Sequence, residues 1–275
     1  MPLVLALLSS VLWGGSDFLG GTAARRLRAM VVVGVSQALA LVLLVPLALT
    51  LGARPDHLWA GPVAGVAGLI GLSAFYAALA SGTMGVIAPV AATGAVVPVV
   101  VGLARGESPS ALQLAGIAVA LAGVILASGP ELTGGAPVRP LALAVLSAAA
   151  FGSVAVLVAE GSKGGTGSFL ITLLVMRATS VGVLAALWAG WRQRLGTART
   201  DLPLLATVGL GDVAANATFA LASRSGLLSV VSVLASLYPV VTVLLARQVH
   251  DERLRPIQVA GVVGTLGGVA LLAGG

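Results

Sequence analysis

Three ionisable residues, Asp17, Arg177 and Asp212, interrupt stretches of sequence that are otherwise apolar. A charged side chain at the centre of a bilayer costs about 2.5–3.5 kcal/mol on insertion scales, so such residues are functional hypotheses by default. Arg177 and Asp212 each lie about ten residues into a predicted helix, near the bilayer midplane. Either Asp212 binds a proton or an amine and Arg177 binds a carboxylate, or the two form a structural ion pair, which we favour.

Asp17 lies about fifteen residues into the first predicted helix, close to its far end. One interpretation is that the carboxylate faces a central cavity. The other is that it extends to the membrane interface, where Arg25 or Arg26 can neutralise it. The sequence leaves both open.

Other polar and aromatic residues in the apolar stretches are spaced so that they could line a cavity with these charges. The predicted cavity residues are Trp13, Ser16, Asp17, Tyr76, Thr93, Arg177, Asp212, Asn216, Ser232, Ser236 and Tyr238. Three prolines, Pro89, Pro98 and Pro239, lie within the same stretches and predict helix kinks. A proline frees a backbone carbonyl, which must then find another partner or line a cavity. Kinks without any binding site are equally compatible with these prolines.

The solvent for most of these side chains must be lipid. Apolar residues make up 58% of the 275 residues and charged residues only 9%, whereas soluble domains carry about 25% charged residues. So few charges cannot solvate a water-soluble protein of this size. The sequence therefore predicts an all-α integral membrane protein.

Several classes of function are disfavoured by what the chain contains. It has no cysteine, and its two histidines, His57 and His250, lie in short polar segments, so we expect no metal centre and no cofactor. We find no glycine-rich nucleotide loop and no catalytic triad, so we do not expect an enzyme. The basic cluster Arg25–Arg28 is better explained as a topology signal than as a nucleic-acid site.

Ten apolar segments are long enough to cross a bilayer, which takes about 20 helical residues. Their continuous apolar character predicts helices and not a barrel, and the first is expected to be a retained helix and not a signal peptide. The segments are 2–21, 29–51, 58–80, 85–104, 110–129, 139–160, 168–190, 203–222, 226–249 and 254–274.

The two halves of the chain resemble each other. Gly85–Pro98 matches Gly226–Pro239 at a constant offset of 141 residues, and Glu107 matches Glu252 at an offset of 145 residues. The chain is thus predicted to consist of two five-helix repeats, residues 1–135 and 136–275. Five spans per repeat require the second repeat to insert upside down, and inverted repeats are typical of transporters.

Several residues also resemble the EamA-type transporters of the drug/metabolite transporter superfamily. They are Leu12-Trp13-Gly14-Gly15, then Pro239, Asp251-Glu252-Arg253-Leu254 and Gln258-x-x-Gly261. The resemblance implies ten helices, both termini on one side, a central cavity between the halves, and export or exchange of small metabolites. It also makes an arginine at the position of Arg177 usual, which favours the ion pair.

The sequence therefore predicts a secondary active transporter in the plasma (inner) membrane. It would export small organic metabolites, amino-acid-like or drug-like, by alternating access. The alternatives are a passive channel or non-transporting membrane subunit and, less favoured, a membrane-embedded enzyme. A proton is the expected coupling ion, with Asp212 as the first carrier and Asp17 as the second if Arg177 keeps Asp212 ionised.

The charges in the predicted loops bear on orientation. Odd-numbered loops hold ten basic residues and even-numbered loops hold four. By the positive-inside rule the odd loops are cytoplasmic and both termini lie outside. The family resemblance implies termini inside, so the orientation stays open, as does the oligomeric state.

Overall fold

The protein is a bundle of helices, as the apolar composition predicts. The computed structural model describes residues 1–52, 58–128, 138–164, 166–191, 196–250 and 255–274. Its α-helices are α1 (Pro2–Ala24), α2 (Ala29–Thr50), α3 (Ala60–Ser81), α4 (Met84–Ala92), α5 (Val96–Ala104), α6 (Ala111–Ser128), α7 (Val138–Gly161), α8 (Thr166–Trp191), α9 (Leu202–Ser223), α10 (Leu228–Ala235), α11 (Tyr238–His250) and α12 (Pro256–Gly274).

Eight spans in the described residues are long and apolar enough to cross a membrane. Two of them combine a pair of helices, α4 with α5 and α10 with α11, and the shorter apolar helices are α6 and α12. The prediction of an all-helical, multi-pass membrane protein is thus confirmed.

The two combined spans are broken near their centres. A 3-10 turn, Thr93–Ala95, separates α4 from α5, and a two-residue break at Ser236 separates α10 from α11. Pro98 and Pro239 follow these breaks directly, in the first turns of α5 and α11. A proline there is well tolerated, because the first N–H groups of a helix lack intrahelical partners in any case. Pro89 lies inside α4, and the helix continues through it.

Contacts between the two halves come in reciprocal pairs. Helix α3 packs against α7 and α8, and α9 packs in the same way against α1 and α2. Helix α4 contacts α11, and α10 contacts α5. Two helices pack on their counterparts, α2 on α8 and α6 on α12.

The close contact between α6 and α12 shows how these counterparts run. Gly116 faces Leu272, with only 2.8 Å between the position of an added Cβ and the Leu272 Cγ. Seven residues later, Gly123 faces Gly261 and Thr265. Residues further along α6 therefore contact residues nearer the start of α12, so the two helices are antiparallel. Glycines are needed here because the backbones approach each other closely.

The helix starts of the two halves have offsets close to the 141 residues of the sequence match. Met84 and Leu228, at the starts of α4 and α10, are 144 residues apart, and Val96 and Tyr238, at the starts of α5 and α11, are 142 apart. Pro98 is the third residue of α5 and Pro239 the second of α11.

Candidate functional site

A cavity of about 90 Å³ lies in the middle of the bundle, where helices of both halves meet. Its walls come from α1, α3, α4, α5, the turn between α4 and α5, α7, α8, α9, α10 and α11, and from the break between α10 and α11. The lining residues include Trp13, Asp17, Gly94, Pro98, Phe151, Arg177, Asp212, Asn216, Phe219, Ser232, Ala235, Ser236 and Tyr238.

Arg177 is the twelfth of the 26 residues of α8, and its side chain is only 1% exposed. Its Nη2 lies 2.7 Å from Oδ2 of Asp212, and its Nη1 donates a hydrogen bond of 2.7 Å to Oε1 of Gln37. A buried charge is tolerated only when it is paired and hydrogen-bonded. The guanidinium thus joins α2, α8 and α9, which is the structural ion pair that the sequence favoured.

Asp212 is the eleventh of the 22 residues of α9, and both of its oxygens have partners. Oδ2 pairs with Arg177. Oδ1 accepts hydrogen bonds of 3.1 Å from Trp13 Nε1 and of 3.1 Å from Asn216 Nδ2. Three donors therefore hold the carboxylate in place and compensate its charge.

Asp17 lines the same cavity and is only 5% exposed. It therefore faces the centre of the bundle and does not extend to the interface. Asp17 interacts electrostatically with Asp212, which has the same charge, and with the phenol groups of Tyr76 and Tyr238. Asp17 is thus a cavity carboxylate without the compensation that Asp212 receives.

Two hydroxyl groups in the cavity wall have no hydrogen-bond partner within the described residues. They are Ser232 Oγ on α10 and Tyr238 Oη on α11. Ser236, between these helices, instead donates its hydroxyl to the Val233 carbonyl at 2.7 Å. Buried polar groups almost always form hydrogen bonds with protein, water or ligand. We therefore expect these two hydroxyls to form hydrogen bonds with water or a ligand in the cavity.

Two prolines next to the helix breaks each remove one backbone donor. Proline has no N–H, so Pro98 and Pro239 cannot donate to the carbonyls four residues earlier, those of Gly94 and Ala235. The Gly94 carbonyl oxygen packs closely against Gly152 of α7. Gly94, Pro98 and Ala235 all line the cavity.

Aromatic rings form part of the apolar wall of the cavity, and they pack against other aromatic rings. Phe75 is fully buried and packs edge-on against Phe151 and Tyr238, with ring centroids 5.4 and 6.3 Å away. Trp13 and Phe219 meet with centroids 5.8 Å apart. These contacts limit the movement of the rings that face the cavity.

Eight of the eleven predicted cavity residues line the cavity: Trp13, Asp17, Arg177, Asp212, Asn216, Ser232, Ser236 and Tyr238. Three lie beside it. The Ser16 side chain packs against Gly211 of α9, and Tyr76 packs against Gly20 of α1. The Thr93 hydroxyl donates to the Val90 carbonyl at 2.7 Å within its own chain turn.

Several contributors were not predicted, and three of them matter for the site. Gln37 holds Arg177, and the signal for it was a lone amide within the apolar sequence of α2. Phe151 and Phe219 line the cavity, but an aromatic side chain in an apolar stretch is no more typical of a cavity than of packing.

Polar contacts tie the two halves together at both ends of the bundle. Where α1 ends and α9 begins, Arg26 Nη2 lies 3.0 Å from Asp201 Oδ1. At the opposite end, where α5 and α7 end, Arg105 pairs with Glu160. The cavity thus lies between two ends that are both bridged by ion pairs.

A second tie at that opposite end joins Glu107 to helix α10. Its Oε1 and Oε2 accept hydrogen bonds from the N–H groups of Leu228 at 2.7 Å and Ser229 at 3.0 Å. These are free N–H groups at the helix start, so a residue of the first half caps a helix of the second. The predicted counterpart, Glu252, lies outside the described residues.

Comparison with known proteins agrees with this architecture. A solved crystal structure of a protein matches with a TM-score of 0.74 and 18% sequence identity, covering 98% of this chain and 95% of the other. At that identity the likeness shows the shared fold alone. No curated protein matches the sequence. The model of the EamA-like transporter family matches twice, over residues 1–129 and 139–274. The chain therefore belongs to the EamA-like transporter family, within the drug/metabolite transporter superfamily.

Proposed function

We propose that the protein is a secondary active transporter that exports small organic solutes across the plasma membrane by alternating access. The observation that carries the proposal is the central cavity, which contains buried charged groups and lies where the two halves meet. Intramembrane charges that face a shared cavity are typical of substrate and ion pathways. Membership in a transporter family supports the same conclusion.

The mechanism that we propose uses ten spans in two inverted repeats, residues 1–135 and 136–275. The antiparallel course of α6 and α12 supports the inversion, because these helices hold the fifth position in each half. The reciprocal contacts between the halves and the double match of the family model support it as well. Inverted repeats give two related conformations, each open to one side of the membrane.

Both ends of the bundle are bridged in this conformation, by Arg26 with Asp201 and by Arg105 with Glu160. The cavity volume of about 90 Å³ is also well below the roughly 300–1,000 Å³ of ordinary small-molecule sites. We therefore infer that admitting a solute requires the cavity to widen, and that one of the two ion pairs separates when it does.

We propose the proton as the coupling ion and Asp17 as its carrier. Asp212, the first candidate from sequence, is already held by Arg177, Trp13 and Asn216. Neutralising it would leave the buried Arg177 without its counter-ion, which is costly. Asp17 can gain or lose a proton without breaking an ion pair of that kind.

Counterflow in proteoliposomes tests the transporter proposal. Vesicles are loaded with an unlabelled solute, and uptake of the same labelled solute is followed for a panel of small metabolites. A transporter shows saturable uptake that is stimulated by the internal solute. Flux that rises linearly with concentration and ignores the internal solute would instead identify a passive channel.

A further inference from the structure

We propose that the central cavity binds the protonated amine of a small organic cation, with Asp17 as its counter-ion. This inference rests on the proposed transport function and names the substrate class of the same site. It follows from the charges, the hydrogen-bond acceptors and the aromatic rings that line the cavity.

The charged side chains that line the cavity favour a cation. The described ionisable groups with acidic or basic side chains that line the cavity are Asp17, Arg177 and Asp212. Arg177 and Asp212 neutralise each other at 2.7 Å. When Asp17 is deprotonated, its carboxylate is the uncompensated charge among these three groups, so a solute that carries a positive charge completes the site in that state.

Arg177 is poorly placed to bind a substrate carboxylate. Its Nη1 is used by Gln37 and its Nη2 by Asp212, at 2.7 Å each, while its buried Nε has no hydrogen-bond partner within the described residues. Recognition of a carboxylate by arginine usually uses two parallel N–H groups, so pairing Nε with Nη2 would require the contact with Asp212 to be broken. An anionic or amino-acid-like solute would therefore compete with the contacts that hold α2, α8 and α9 together.

The uncharged polar groups favour the same class of solute. Ser232 Oγ and Tyr238 Oη are buried, belong to residues that line the cavity and have no hydrogen-bond partner within the described residues. An ammonium group offers three donors and no acceptor, which suits a wall that offers a carboxylate and hydroxyl oxygens.

The aromatic rings of the cavity wall also favour an organic cation. Trp13, Phe151, Phe219 and Tyr238 line the cavity. The face of an aromatic ring attracts a cation, most strongly for tryptophan and most when water is excluded. The four rings also provide an apolar surface for the hydrocarbon part of an organic amine. A hydrated metal ion has no such part.

Three probes of equal size and different charge test the inference on the purified, detergent-solubilised protein. They are propylamine, 1-propanol and propionate at neutral pH, where the amine is protonated as lysine is. Each is titrated while thermal unfolding and intrinsic tryptophan fluorescence are recorded, and sodium chloride is titrated in the same way. We expect propylamine to raise the unfolding temperature and to bind about tenfold more tightly than the alcohol or the acid.

Substitutions then assign the counter-ion. Asp17→Asn should weaken propylamine binding by about tenfold or more, and Asp17→Glu should retain most of it. The control Ser108→Ala, at an exposed position outside the cavity, should leave binding unchanged. Should Asp17→Asn fail to fold, the charge series on the unsubstituted protein still decides. Preference for propionate, equal binding of all three probes, or stabilisation by sodium without an effect of the amine would overturn the inference.

The outcomes separate the amine site from the transport function. Propylamine binding without saturable counterflow of any solute would contradict the proposed transporter while supporting the amine site. Saturable counterflow of anionic or neutral solutes without amine binding would support the transporter and overturn the amine site.

Discussion

Arg177 on α8 and Asp212 on α9 form an ion pair of 2.7 Å in the middle of the bundle, where the arginine side chain is only 1% exposed. The pair holds two consecutive helices of the second half together, and Gln37 extends it to α2 in the first half. Its position means that one group of charged residues contributes both to helix packing and to the cavity wall.

Removing one partner of this pair should destabilise the protein. Arg177→Met leaves Asp212 as an uncompensated buried charge. Asp212→Asn leaves Arg177 as an uncompensated buried charge. Breaking a buried pair in this way costs about 3–5 kcal/mol. The double variant should lose clearly less than the sum of the two single losses, because it leaves no unpaired charge. Thermal unfolding in detergent measures all four proteins, and strictly additive losses would show that the pair is not coupled.

The sequence could predict this pair because both residues are charged, lie at similar depth and belong to consecutive helices. It could also predict that most polar residues of the spans face one cavity. It could not place Ser16, Tyr76 or Thr93 outside the cavity, since helical spacing defines a face but not the neighbour that covers it. In the structure Gly211 covers Ser16, and Gly20 makes room for the Tyr76 ring.

The broken helices show a second limit of the sequence. Prolines indicate that a helix is weakened, but Pro89 lies within a continuous α4 while the breaks lie just before Pro98 and Pro239. Which proline ends a helix depends on whether other groups can satisfy the freed carbonyl, and those groups come from other parts of the chain.

The close approach of α3 and α8 gives a prediction with a matched control. A Cβ at Gly65 would lie 2.6 Å from the Met176 carbonyl oxygen and 2.7 Å from Thr179 Cβ, whereas a Cβ at Gly182 has open space. Gly65→Ala should therefore destabilise the protein by about 1–3 kcal/mol. Gly182→Ala should be neutral or stabilising by up to about 1 kcal/mol, because alanine favours helix. Thermal unfolding compares the two, and equal effects would contradict the packing argument.

The cap that Glu107 places on α10 predicts a graded loss of stability. Glu107→Ala leaves the Leu228 and Ser229 N–H groups without their acceptors, and loss of a helix cap costs about 0.5–2 kcal/mol. Glu107→Gln should lose less, because its carbonyl oxygen can still accept one hydrogen bond. The exposed neighbour Ser108 provides a control as Ser108→Ala. A Glu107→Ala protein that unfolds at the same temperature as this control would show that the cap contributes nothing.

The ion pairs at the two ends of the bundle predict how its halves must move. The chain has no cysteine, so pairs can be introduced without background: Arg26→Cys with Asp201→Cys at one end, and Arg105→Cys with Glu160→Cys at the other. If each end must open in turn, a short bis-methanethiosulfonate cross-linker, which joins two cysteines through disulfide bonds, should abolish counterflow when it is attached at either end. Reduction, which cleaves those disulfides, should restore it. The four single-cysteine variants, treated identically, control for modification alone. Counterflow that persists in fully cross-linked protein at one end would show that this end does not open during transport, and alternating access between these two ends would then be excluded.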